Sequence, residues 1–195
     1  TPIVALIPLE ERISLIHQIG VDLVYPIAFT SELSLVKARD FLQTLKKCLS
    51  MTGLVVGSDF AMGHKREGNV SFLRSLQAEF DFTLEPMNLL DNAGLVASST
   101  AIRTALGNGD IETVNSLLGR NFNLTGTVST GHGRGKGLGF PTANLDLPLQ
   151  QAIPKDGVYA TYAYVEGILY KSVTSVGTRP TFDNGERAVE THILD

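Results

Sequence analysis

The chain has 195 residues, 43% of them hydrophobic, which is enough to bury a core as one large domain or two small ones. A net charge of −4 argues against a protein built mainly to coat the phosphates of long nucleic acids, although a local basic loop still suits one nucleotide. The single Cys48 excludes an internal disulfide framework and a cysteine-based zinc site, and no apolar run reaches the roughly 18 residues that span a bilayer. With no charged segment and following apolar stretch at the start, the expected location is the cytoplasm, with no membrane partner.

The first apolar run, 3–7, reads as a short strand by its β-branching. Over 9–19, Ile13, Ile16 and Ile19 recur on one helical face, with Glu10 and Glu11 in the first turn and Gly20 as the stop. The run 21–26 reads as a buried strand ended by Pro26. A helix is expected over 36–48, burying Phe41, Leu42 and Leu45, then an apolar strand over 53–57. Next come a helix over 69–80 capped by Asn69, a strand over 81–86 and a strand-like stretch over 94–97. A helix opens at 98 and runs to 106; another, capped by Asp110, ends at Leu118 with Gly119 and Arg120 beyond it.

From 122 onward the helical period stops. Strands are expected over 122–129, 157–166, 168–176 and 188–194, with a turn over 165–168. The chain therefore divides into an α/β domain, 1–120, whose alternation implies βαβ units and a parallel sheet, and an all-β domain, 121–195, expected as a small antiparallel barrel.

Chemistry gathers in four places. The stretch 131–144 has glycines at 131, 133, 135, 137 and 139, which free the backbone to turn successive N–H groups toward an anion. Arg134 and Lys136 add counter-charge, and Thr142 and Asn144 are hard oxygen donors that project from one side of an extended backbone, as a Mg²⁺ site needs. The Walker loop does not fit, because Lys136 is followed by Gly137, and the glycines do not match the G-x-G-x-x-G dinucleotide spacing; a plain surface loop is the alternative. Directly after the strand ending at Val56, where α/β ligands bind, lies 58–66 with Asp59 and Phe60; a polar loop is its bland alternative. Ser98, Ser99 and Thr100 open a helix with Arg103 one turn inside, which favours an anion but is equally a Ser/Thr cap with a solvated arginine. Finally Glu190, between Val189 and Thr191 in an expected strand, points away from both, toward a cavity or toward solvent.

The unit Gly-Arg-Gly-x-Gly-x-Gly-Phe-Pro-Thr-Ala-Asn-Leu closely resembles the ATP-binding signature of riboflavin kinases, small β-barrels that transfer the γ-phosphoryl of ATP to the 5′-hydroxyl of riboflavin. The string Val-Glu-Thr-His-Ile-Leu-Asp resembles the segment carrying that family's catalytic glutamate, a role the resemblance gives to Glu190 alone; His192, on the same side, receives no chemistry but is expected to pair or pack. The resemblance implies that Gly131, Gly133, Arg134, Gly135, Lys136 and Gly137 hold phosphates and that Thr142 and Asn144 hold Mg²⁺. The string 175–182 is similar to the Gly-Thr-Arg-Pro-Thr-Phe of bacterial enzymes, implying a loop beside the nucleotide and flavin sites.

The first domain is similar to the FMN adenylyltransferase module of bacterial FAD synthetases, through 57–66, with Met62 where an aromatic is usual, and through Ser-Ser-Thr-x-Ile-Arg at 98–103. This implies a partial Rossmann-like nucleotidyltransferase domain followed by a partial riboflavin kinase barrel, with ATP, riboflavin and FMN as substrates and FAD biosynthesis as the function. Asp59, Phe60, Ser98, Ser99, Thr100 and Arg103 are then the adenylyltransferase residues. The His-x-Gly-His signature of that fold does not occur among His17, His64, His132 and His192, so the chain is expected to be an internal fragment and unable to adenylylate FMN alone. FAD formed from FMN and ATP at a normal rate would refute this. Two rivals stay open: a non-catalytic flavin or nucleotide sensor, indifferent to Glu190→Gln, and an RNA-binding module whose affinity falls steeply with salt.

Overall fold

The computed structural model describes residues 4–88, 91–92, 95–129, 139–148, 151–178 and 187–194. Contacts divide the chain into two compact units, Thr1–Val24 with Asn92–Asp195, and Tyr25–Asp91. Packing thus groups the helices that follow residue 98 with the antiparallel strands, rather than with the α/β segment.

The first unit opens with α1 (Leu9–Gln18), as its spacing predicts, closed by Gly20 at φ +91°. The second begins with α2 (Ser31–Leu35) and α3 (Ala38–Leu49), on which Ala38 and Leu42, one turn apart, are buried. Strand β1 (Gly53–Gly57) leads to the two-residue strands β2 (Ala61–Met62) and β3 (Gly68–Asn69), which pair antiparallel around a 3₁₀ turn, His64–Arg66. The helix expected from Asn69 forms in two pieces, α4 (Val70–Ser75) and α5 (Gln77–Phe80), and the Asn69 side chain accepts from Phe72 N–H at 2.9 Å as its cap. Strand β4 (Thr83–Met87) then runs parallel to β1, Val55 opposite Glu85. Leu42, Val56, Leu73, Leu76, Phe82 and Leu84 form the core of this unit. Burying a Leu or Phe side chain stabilises by roughly 1.5–3 kcal/mol, so this cluster is the main force holding α3 and α4 on the β1–β4 pair.

Two expected strands do not form. Around residues 3–7 the described backbone makes only a single parallel bridge, Ala5 to Gln151, and residues 21–26 make no ladder, with Leu23 and Tyr25 more than 70% exposed. Apolar β-branched sequence gives a strand only where another strand takes its N–H and C=O groups, and the described residues provide none beside 21–26.

After the two-residue strands β5 (Asp91–Asn92) and β6 (Leu95–Val96), helices α6 (Ser99–Asn108) and α7 (Ile111–Leu118) pack as a pair. Ser98 and Asp110 cap them by accepting from Ala101 and Thr113 N–H, and Gly109 and Gly119 end them in the left-handed region. Their core is Ile102, Ala105, Leu106, Val114 and Leu117 with Ala152 from the following strap. The rest is one antiparallel sheet built from β7 (Thr127–Ser129), β8 (Ala143–Asp146), β9 (Gly157–Val165), β10 (Ile168–Thr178) and β11 (Arg187–Ile193), in the order β7-β8-β11-β10-β9. Glu166 and Gly167, both at positive φ, make the expected two-residue turn between β9 and β10. The fold class is therefore α/β followed by an antiparallel sheet. Among the described residues the sheet is open, since β7 and β9 are its two edges and are not paired.

Candidate active site

A five-strand ladder sorts its side chains by register. Ser129 is opposite Asn144, Asn144 opposite Glu190, Glu190 opposite Ser175, and Ser175 opposite Val158, so these residues form one row across the sheet. Directly opposed residues of an antiparallel pair share a face with Cβ atoms about 4.5–5.5 Å apart, which places the Glu190 carboxylate beside the Asn144 amide. Thr142 precedes the first residue of β8 and falls on the Asn144 side by the two-residue alternation.

The other face carries Ser172, Thr174, Val176, Val189 and Thr191, all less than 10% exposed. Its hydroxyls satisfy one another: Thr161 with Ser172 at 2.7 Å and with Thr174 at 2.8 Å, and Thr174 with Thr191 at 2.9 Å. Glu190 is half-buried between two buried neighbours, Val189 and Thr191, on the opposite face. The alternation therefore turns Glu190 toward Asn144 because its flanking residues are fixed in the interior.

Gly131, Gly133, Arg134, Gly135, Lys136 and Gly137, expected to hold phosphates, lie outside the described residues, as do 179–182 of the Gly-Thr-Arg-Pro-Thr-Phe string. The loop's exit is described. Gly139 is at φ +83°, Phe140 meets the His192 ring edge-on at 5.6 Å, and His192 Nδ1 is 2.7 Å from the Pro141 carbonyl oxygen.

At the other motifs much of the sequence is scaffold. Within 25–91, Phe60 N–H donates to the Gly57 carbonyl, and Phe60 and Met62 both pack against the core cluster, so Met62 is a packing residue in this structure. Gly63 is at φ +76°, and a Cβ there would collide with the Ala38 backbone; His64 N–H donates to the Val36 carbonyl at 2.8 Å. Asp59 lies in the turn that follows β1, and its backbone carbonyl accepts from Arg66. In the unit containing 92–195, Ser98 Oγ is used as the α6 cap, Ser99 and Thr100 are in the first turn, and Arg103 donates from Nε to the Val4 carbonyl at 2.7 Å. Arg103 therefore holds the chain ahead of α1 through Nε in this structure.

The sequence model of the FAD synthetase family matches residues 1–101, more than half of the chain. The chain belongs to the FAD synthetase family. The riboflavin kinase family model matches residues 118–195, the part holding the Asn144–Glu190 row. Proteins described as bifunctional riboflavin kinase/FMN adenylyltransferase are 35% identical to it in Listeria monocytogenes, over 191 residues, 97% of this chain and 60% of the relative. The Escherichia coli K12 protein of the same description is 35% identical over 96% of this chain and 60% of the relative, and that of Bacillus subtilis 35% over 90% and 55%. A crystal structure described as a macrolide-efflux protein from Streptococcus pneumoniae superposes with a TM-score of 0.87 and 29% identity, covering 97% of this chain and 61% of that one. The chain thus spans about 60% of the length of the relatives it matches. No helix among the described residues is long and apolar enough to cross a membrane.

Sequence reasoning missed Ser129 and Ser175 as members of the Glu190 row; it gave His192 a pairing or packing role, but not its partners, Pro141 and Phe140. Period-2 patterning tells which residues of one strand share a face, but only pairing tells which residue of another strand stands beside them.

Proposed function

We propose that the protein of which this chain is part phosphorylates riboflavin to FMN with ATP and adenylylates FMN to FAD, as a bifunctional enzyme of FAD biosynthesis. Residues 1–120 form the adenylyltransferase part and 121–195 the kinase part, a division supported by family matches that end at 101 and begin at 118. It is a cytoplasmic enzyme of small molecules rather than of nucleic acid, consistent with its net charge of −4.

The observation that carries the kinase reading is Glu190 opposite Asn144. Phosphoryl transfer to an alcohol asks for a positioned base, oriented phosphates and neutralised charge. Glu190 takes the proton of the riboflavin 5′-hydroxyl, and its fixed neighbours Val189 and Thr191 hold it in place. The Thr142 hydroxyl and the Asn144 side-chain carbonyl are hard oxygens on one side of the strand and fit Mg²⁺, which when bound neutralises charge on the ATP phosphates. Gly131, Gly133, Gly135 and Gly137 offer backbone N–H groups to those phosphates, with Arg134 and Lys136 as counter-charges.

In the adenylyltransferase part, the N-terminus of α6 binds triphosphate through the free N–H groups of Ser99 and Thr100. Ser98 Oγ keeps its proton for a phosphate oxygen while accepting from Ala101. Arg103 adds charge to that helix start. Within 25–91, the resemblance by itself gives Asp59 and Phe60, in the loop after β1, an adenylyltransferase role.

The deciding experiment supplies the full-length protein with riboflavin, ATP and Mg²⁺ and follows FMN. Formation of FMN that is lost in Glu190→Gln, with flavin and nucleotide still bound, supports the reading. Unchanged turnover in that variant removes Glu190 as the base, and binding without turnover in the wild type leaves a sensor.

A further inference from the structure

The ladder between β8 and β11 stops at Ala143 opposite Thr191. Continued, the register would bring Thr142 to residue 192 and Pro141 to residue 193, and Pro141 has no N–H to donate. A side chain takes over: His192 Nδ1 lies 2.7 Å from the Pro141 carbonyl oxygen, a contact spanning 51 residues of sequence. A carbonyl only accepts, so Nδ1 carries the proton in this arrangement. The ring is set from a second side by Phe140, whose centroid is 5.6 Å away at an interplanar angle of 75°.

The Pro141 carbonyl and the Thr142 N–H belong to one planar peptide group. Holding that oxygen therefore orients the plane from which Thr142 extends, and with it the direction of the Thr142 hydroxyl relative to Asn144. We infer that His192 is a positioning residue for the nucleotide end of the kinase site, latching the Pro141–Thr142 peptide so that Thr142 and Asn144 present their oxygens together. This rests on the assignment of Thr142 and Asn144 to the metal–nucleotide complex.

Three variants of the full-length protein test it. His192→Phe keeps an edge-on ring without a donor, His192→Ala removes both, and His192→Asn places an amide N–H near the position of Nδ1. Loss of one such hydrogen bond predicts a rise of about 3- to 10-fold in KM for MgATP and in the MgADP dissociation constant by calorimetry. The rise occurs in the Phe and Ala variants and is relieved in Asn, while KM for riboflavin and the melting temperature of the Phe variant stay at wild-type values. A Phe variant that matches the wild type, or an Asn variant no better than Phe, overturns the latch. So does a Phe variant in which both Michaelis constants rise together as the melting temperature falls. Should the wild type form no FMN, the kinase reading fails by itself, and the calorimetric pattern across the three variants still decides the latch.

Discussion

The antiparallel sheet and the α/β unit of residues 25–91 handle family-like sequence in opposite ways. In the sheet, residues far apart in the chain meet in one row, and the pleat separates chemistry from scaffold: Val189 and Thr191 go in, Glu190 goes out. In the α/β unit the string 57–66 folds back on its neighbours. Phe60 and Met62 pack on the core, Gly63 admits the Ala38 backbone, and His64 bonds to the Ser34 and Val36 carbonyls. The lesson is that a motif on a strand can be divided by alternation alone, whereas a motif on a loop mixes residues that make the site with residues that make the loop.

Four measurements sharpen or break this contrast. The largest effect belongs to the sheet: Glu190→Gln should lower kcat for riboflavin phosphorylation about 10²- to 10⁴-fold, the span of a lost general base, with little change in melting temperature. A fall in stability equal to the loss of rate would make Glu190 scaffold after all. Next come the cores. Leu42→Ala and Leu106→Ala, fully buried in the two units, should each cost about 2–5 kcal/mol in denaturant unfolding. If the units unfold separately, each variant shifts only its own transition; one shared transition would show that they behave as one.

Smaller in size, but aimed at the loop, is Gly63→Ala. Its positive φ and the collision that an added Cβ would make with the Ala38 backbone predict a cost of about 1–3 kcal/mol. At Gly20, also at positive φ but with nothing within 4 Å, Ala should cost no more than about 1–2 kcal/mol. Equal costs would mean that the clasp on Ala38 is unimportant.

The smallest effect is one of pH. Asp110 is held below the usual carboxylate range by hydrogen bonds from the Thr113 side chain and then its backbone N–H. A carboxylate depressed on folding contributes stability that is present above its unfolded value and lost as pH falls through the folded one. The cap of α7 should therefore weaken only below about pH 3.8, a loss that Asp110→Asn should abolish in melting curves taken through that range. An acid limb unchanged in Asp110→Asn would show that the cap does not contribute it.

Much of this molecule was legible in order of sequence. Asn69, Ser98 and Asp110 announce helix starts because a short polar side chain can satisfy an orphan N–H three residues on, and all three do so. Gly119 and Gly167 announce a helix end and a tight hairpin by the φ they allow, and the hairpin also holds Glu166 at φ +50°. Strand β1 was visible as an apolar run with parallel partner β4, but the equally apolar 21–26 was not separable from it, since no property of one segment reveals whether another lies alongside.

The sequence by itself determined what is local: the caps, the turns, the alternation that sets Glu190 against Val189 and Thr191, and the oxygen donors at Thr142 and Asn144. Only the tertiary structure decided which strand Glu190 would face and that His192 would reach Pro141. Those depend on register between strands distant in the chain, where one residue of slip would send every side chain to the other face.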